Sequence, residues 1–196
     1  MSKAIDILMN EHRLIEKVLG SLQAFVSQLV PGQSGARNRV AEYAEFFREF
    51  ADRCHHGKEE DRLFGTMEQH GFPSNAGPVF VMKQEHDIGR THVRSLAEVG
   101  GGDGELSEAE VVTVHKHATA FIALLSAHIM KEDKILFPAA EQSMPGAVLE
   151  TLADEFQQFE ESVMGTDTHE HLHALAEALI KAFAPDMSAL RSARGA

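Results

Sequence analysis

His55-His56-Gly57-Lys58-Glu59-Glu60-Asp61-Arg62-Leu63-Phe64 aligns without a gap on His128-Ile129-Met130-Lys131-Glu132-Asp133-Lys134-Ile135-Leu136-Phe137. The alignment sets His55 against His128, Glu59 against Glu132, and one Leu-Phe ending against the other. Each copy therefore offers His-x-x-x-Glu. On a helix, residues four apart stack on one face, with Cβ atoms about 5–6 Å apart. An imidazole nitrogen and a carboxylate so placed can grip one metal ion, or the carboxylate can bridge two. Two such helices facing each other would enclose a dinuclear metal site inside a bundle.

Outward from the repeat, the pattern is helical almost throughout. Ile5, Leu8, His12, Ile15, Leu19, Leu22, Val26 and Leu29 recur at spacings of three and four, the inward stripe of a bundle helix with His12 as its one polar member. Pro31 to Gly35 breaks the chain, and a second helix is expected over 36–70. A third helix over 79–99 carries Val79, Met82, His86, Val93 and Leu96 on one face. After Gly100 to Gly104, a fourth runs over 107–137 with Val114, His117, Phe121, Leu124, His128, Glu132 and Ile135 inward, and Pro138 begins its end. Two further amphipathic segments are expected over 147–164 and 169–183, the second opened by an Asp167-x-x-Glu170 capping box, with a frayed end over 186–196. The expectation is an all-α protein: an antiparallel four-helix bundle over 1–140, and a C-terminal helical extension over 141–196 packing on it. His12 and His55 lie at nearly equal heights from the first turn. His86 and His128 do not, so a bend, a slanted entry or a longer loop must absorb the difference.

Composition narrows the function classes. The chain has 196 residues, 43% of them hydrophobic, and a net charge of −12, which disfavours nucleic acid and anionic membrane surfaces. No apolar run approaches the roughly 20 residues of a membrane span, and the start lacks a signal peptide's apolar stretch. One cysteine, Cys54, excludes an intrachain disulfide and fits a reducing cytoplasm, where the protein is expected. The unusual count is twelve histidines, beside one tyrosine and no tryptophan.

Six residues emerge as metal ligands: His12, His55, Glu59, His86, His128 and Glu132. A single histidine in an apolar stripe is as readily a hydrogen-bonded core residue. Four helices each supplying one, two of them with a glutamate at i+4, favour a joint site. Buried glutamates without a counter-charge are costly, and a metal pair provides it. Imidazole and carboxylate donors favour iron or manganese, with zinc chemically admissible. If both glutamates bridge, two imidazoles, two carboxylate oxygens and a solvent bridge leave one position open on each ion, where dioxygen, nitric oxide or peroxide can bind. His56 and Glu60 form a competing i, i+4 pair, but register and a turn of about 100° per residue assign them to the surface or to supporting positions. Glu11, Glu85, Lys58 and Lys131 are read as solvated or as orienting imidazoles. His92 falls on another face and His117 lies about three turns from His128. His169, His171 and His173 begin an exposed helix. Cys54 and Tyr43 read as structural, and Gly57 as a point of close helix approach.

With Asn10-Glu11-His12, His55-x-x-x-Glu59-Glu60, Gln84-Glu85-His86, His128-x-x-x-Glu132 and the two Leu-Phe endings in place over roughly 4–140, the chain resembles the hemerythrin-like family, the HHE cation-binding domain. The resemblance implies a four-helix bundle around a non-heme, oxo- or hydroxo-bridged centre of two iron ions. Arg90 stands four residues after His86 where the oxygen carriers have a second histidine, and Glu132 stands in place of their later aspartate. The resemblance is therefore closer to the bacterial four-histidine, two-glutamate branch, associated with oxygen, nitric oxide and peroxide responses and, in some members, iron–sulfur cluster repair. It implies a protein that binds or senses such a small ligand. The alternatives are an oxidoreductase consuming peroxide or nitric oxide, or an iron-handling or repair protein. The repair proteins carry a cysteine-containing N-terminal domain that this sequence lacks.

Overall fold

The computed structural model describes residues 1–163 and 165–185; the expected fray over 186–196 lies outside them. Helix α1 spans Lys3–Ser27, capped by the Ser2 side chain accepting from the Ile5 N–H. Helix α2, residues 36–69, runs unbroken from Ala36–Phe46 through π-helical Phe47–His56 and Glu59–Phe64 into Gly65–Gln69. Helix α3 is Gly77–Gly100. Helix α4, residues 108–143, joins Glu108–Lys131, π-helical Glu132–Leu136 and Phe137–Ser143. Helices α5, Gly146–Val163, and α6, Thr166–Ala182, complete an all-α chain with no strand among the described residues.

Helix α4 outruns the expected stop at Pro138. The Phe137 N–H bonds the Glu132 carbonyl, five residues back, and this wider π turn admits a proline that would clash in a regular α-helix. The same turn re-phases the helix. Ile135, expected inward, is 60% exposed, whereas Leu136 and Phe137 are buried. Helix α6 starts earlier than the Asp167 box predicts: its N-cap is Gly165, with no side-chain cap.

The bundle closes in the order α1, α4, α3, α2, and α5 and α6 lie along the groove between α1 and α2. Gly57 permits that approach, because a Cβ there would sit 2.7 Å from Phe159 Cζ. The mismatch between α3 and α4 is absorbed by loop 101–107. Helix α4 begins about six residues, or ~9 Å, farther from the histidine layer. The loop bridges that step, held by Arg37, whose guanidinium donates to the carbonyls of Val99, Gly104 and Glu105. A Ser107–Glu110 capping box then starts α4.

Two apolar cores stack along the bundle axis. Ile15, Leu19, Phe47, Phe121 and Ile129 belong to one, and Leu8, Phe64, Met82, Leu136 and Phe137 to the other. On each helix the switch between them falls at the residues of the repeat and their partners on α1 and α3. The polar layer therefore sits between two apolar cores. No helix among the described residues is long and apolar enough to cross a membrane.

Candidate metal centre

The layer holds His12 on α1, His55 and Glu59 on α2, His86 on α3, and His128 and Glu132 on α4, all buried. The structure brings all six sequence-expected residues together. His86 Nε2 lies 3.0 Å from His128 Nε2. Glu132 Oε2 lies 3.2 Å from both His12 Nε2 and His128 Nε2. Glu59 Oε1 is 3.6 Å from His55 Nε2, and Glu59 Oε2 is 3.5 Å from His86 Nε2. Donors about 2.1 Å from one ion, at right angles to each other, sit about 3.0 Å apart. The spacing is that of donors around an ion.

The donors fall into two groups, His12, His55, Glu59 and Glu132 in one, and His56, Glu59, His86 and His128 in the other. Within each, the donor atoms lie within 4.8 Å of one another. Glu59 belongs to both groups, one oxygen toward each. Glu132 reaches a histidine of each. His12 Nε2 and all four oxygens of Glu59 and Glu132 are buried without a hydrogen bond among the described residues. Buried carboxylates left so are expensive. Cations at these positions would satisfy the orphaned atoms, and the imidazole–carboxylate set suits iron, manganese or zinc.

Each histidine turns Nε2 inward because a carboxylate holds its other nitrogen. Nδ1 of His12 faces Asp133 at 2.8 Å, His55 faces Glu11 at 2.9 Å, His86 faces Glu60 at 2.6 Å and His128 faces Glu85 at 2.9 Å. Such partners fix the tautomer and raise ligand basicity. Their placement extends the repeat. Glu11 and Glu85 each precede a histidine, and Glu60 and Asp133 each follow a glutamate. Lys58 and Lys131 pair with Glu11 and Glu85 respectively. Glu60, assigned by sequence to a supporting position, orients His86.

Lys58 departs from the solvated reading. It is fully buried and also donates to Glu160 of α5 at 3.1 Å. Burial alone would lower its pKa, but Glu11, Cys54 and Glu160 hold it above the ordinary value. Cys54 is buried too, and burial pushes its thiol up to about 12; it lies outside the two histidine groups, beside Glu11 and Glu160. Tyr43 is a buried partner of Ser21, with oxygens 2.7 Å apart.

His56 departs from the wheel argument. It is only 6% exposed and its ring stacks on His86 with centroids 3.7 Å apart. The cause is local. The Gly57 N–H bonds the Asp52 carbonyl, five residues back, so each residue of this π segment turns through less than the α-helical angle. His55 and His56 both end up inward. No signal in one sequence marks that change, although the neighbouring helix glycine is a hint. His117 pairs with His92 at 3.1 Å, away from the layer. His169, His171 and His173 lie in α6; His171 is exposed, and His173 packs on Phe50.

Without cations the two glutamates split. Burial, then the charge of Glu132, drives Glu59 well above the ordinary carboxylate range. Burial also opposes ionisation of Glu132, but His128 and His12 overcome it and hold its pKa well below. His128 is correspondingly raised to about 9, against burial, by Glu132 and Glu85. Burial drives His55 and His86 well below 6.5.

Comparison with known proteins gives two findings. The family model of the hemerythrin HHE cation binding domain matches residues 3–140. An uncharacterized protein of Mycobacterium bovis and two of Mycobacterium tuberculosis are each 22% identical over 162 residues, or 83% of this chain. The match covers 63% of the length of those relatives. No solved structure matches the chain.

Proposed function

The chain belongs to the hemerythrin HHE cation-binding domain family, and from that premise we propose that it is a cytoplasmic di-iron protein that binds or senses dioxygen, nitric oxide or peroxide. His12, His55, Glu59, His86, His128 and Glu132 are the proposed ligands. The observation that carries the reading is that Glu59 and Glu132 each reach both histidine pairs, with every carboxylate oxygen buried and lacking a hydrogen bond among the described residues. A di-iron pair held there supplies redox-active ions with exchangeable coordination positions.

The protein's contribution is orientation and exclusion of water. Glu11, Glu60, Glu85 and Asp133 hold the four imidazoles with Nε2 inward. The two apolar cores keep bulk water from the layer, which strengthens electrostatic interactions inside it. Stopped-flow spectroscopy of the di-ferrous protein tests the reading. Reversible absorption changes with dioxygen or nitric oxide are expected. Sustained turnover of peroxide or nitric oxide would make the protein an oxidoreductase instead. Inertness toward all three would leave iron handling or cluster repair.

A further inference from the structure

A cavity of about 310 Å³ lies between α2, α3 and α4, and none of the six proposed metal ligands lines it. It falls at the small end of ligand pockets, which run from roughly 300 to 1,000 Å³. Phe47, Ala51, Val93 and Phe121 are buried and make its inner part apolar. Arg48 and Arg94 are exposed and mark its mouth.

The charge of this wall is reversed from that of the chain. Arg48, Arg90 and Arg94 line it beside one carboxylate, Asp52, in a protein of net charge −12. Arg90 is committed. It holds Asp52 at 2.9 and 3.2 Å, Glu60 at 2.8 Å and Asp87 at 2.9 Å, and so neutralises the one carboxylate of the wall. Arg48 pairs with Glu49 at 2.8 Å on the exposed surface, where an ion pair is weak. Arg94 has no hydrogen bond or ion pair among the described residues. It follows Arg90 by four residues, and like charges so spaced on one helix face are destabilising.

These features together select a ligand class. A neutral hydrocarbon would fill the inner part and leave both mouth arginines unused. A simple anion would gain little from exposed guanidinium groups alone. A carboxylate carried on an apolar body uses both, since its two oxygens match the planar fork of a guanidinium. A dianionic head would meet Asp52 as well as the arginines.

We propose that this cavity is a binding site for a small monocarboxylic acid with an apolar body. The body lies among Phe47, Ala51, Val93 and Phe121, and the carboxylate pairs with Arg94, with Arg48 as the second cation across the mouth. The site goes beyond the metal reading and stands whether or not that reading holds.

Calorimetric titration of the full-length protein with octanoate tests this. One molecule per chain should bind with a Kd below about 1 mM, within reach of a ligand of about ten non-hydrogen atoms. Octan-1-ol, which has the same chain without the charge, should bind about tenfold more weakly. The joint variant Arg48→Gln, Arg94→Gln should erase that difference and leave octanol binding unchanged. Gly89 also lines the cavity, and a Cβ there meets Phe121 at 3.5 Å, an ordinary contact, so Gly89→Leu extends into the space. Ala97→Leu at the half-buried rim is a milder second block should the first variant misfold. Either should abolish binding of both probes.

A wild-type protein that binds no octanoate overturns the proposal. Equal affinities for octanoate and octanol overturn the role of the arginines. Octanoate binding that survives in a folded filled variant lies elsewhere and overturns the cavity. Tighter binding of octyl phosphate than of octanoate overturns the carboxylate head.

Discussion

Replacing Glu59 by glutamine should move the metal-free and metal-loaded proteins in opposite directions. The side chain keeps its volume and loses its charge. In the metal-free protein both Glu59 oxygens are buried without hydrogen bonds among the described residues, and burial and Glu132 drive the carboxyl toward its protonated form. An amide is neutral without the proton that the buried carboxyl must take up at pH 7, so the exchange relieves on the order of 1–3 kcal/mol. The new amide can donate toward His55 Nε2 or His86 Nε2, now 3.6 and 3.5 Å from the carboxylate oxygens. For a chain of this size each kcal/mol shifts the melting temperature by about 2–4 °C, so the metal-free variant should melt about 2–12 °C above metal-free wild type. The loaded protein loses a donor common to both groups. Residues that only support ligands alter metal affinity about 10–100-fold, so a shared donor should cost at least about 100-fold, or ~3 kcal/mol of metal-derived stability. Calorimetric melts with and without ferrous iron at pH 7 measure both effects. A metal-free variant that melts below wild type, with the metal-induced gap intact, would refute the reasoning.

Three further outcomes follow from the same geometry. Glu59→Ala should strip more metal than Glu60→Ala, which should weaken binding about 10–100-fold by releasing His86 Nδ1; elemental analysis after dialysis checks the order, and the reverse order would contradict the register. The metal-free protein should lose stability as pH rises from about 6.5 to 9: Glu59, His12 and His128 have raised folded pKa values and lose protons that the fold favours, while His55 and His86 are lowered and already contribute fully above 6.5. Urea midpoints across that range test the sign, and a rising midpoint contradicts it. Lys58→Met, which takes a fully buried ammonium away from Glu11 and Glu160, should cost about 3 kcal/mol, and Lys131→Met, at a side chain 30% exposed, under about 1 kcal/mol; equal losses would contradict the difference in burial.

The two His-x-x-x-Glu copies and the lone histidines in the α1 and α3 stripes made the bundle and its six convergent residues legible, because both patterns follow helical periodicity. The misreadings trace to π turns. Ile135 follows α-helical phase and Pro138 the proline clash of a regular α-helix, and the π turn at Glu132–Leu136 changes both. His56 was set aside by the same angle, and Phe47–His56 turns it inward. Periodicity cannot report a local change in residues per turn, since the hydrogen bonds that set it depend on packing around the layer. Burial of Lys58 was also out of reach. It depends on Glu160 and Phe159 of α5, about a hundred residues away, closing over Gly57.

The central claim is a dinuclear centre shared by two histidine pairs. Metal content per chain, measured by elemental analysis on protein freshly purified from aerobically grown cells, tests it most directly. Two metal ions per chain, with iron as the native metal, is the expected result. One ion per chain, or none, in protein that is otherwise folded would contradict the account.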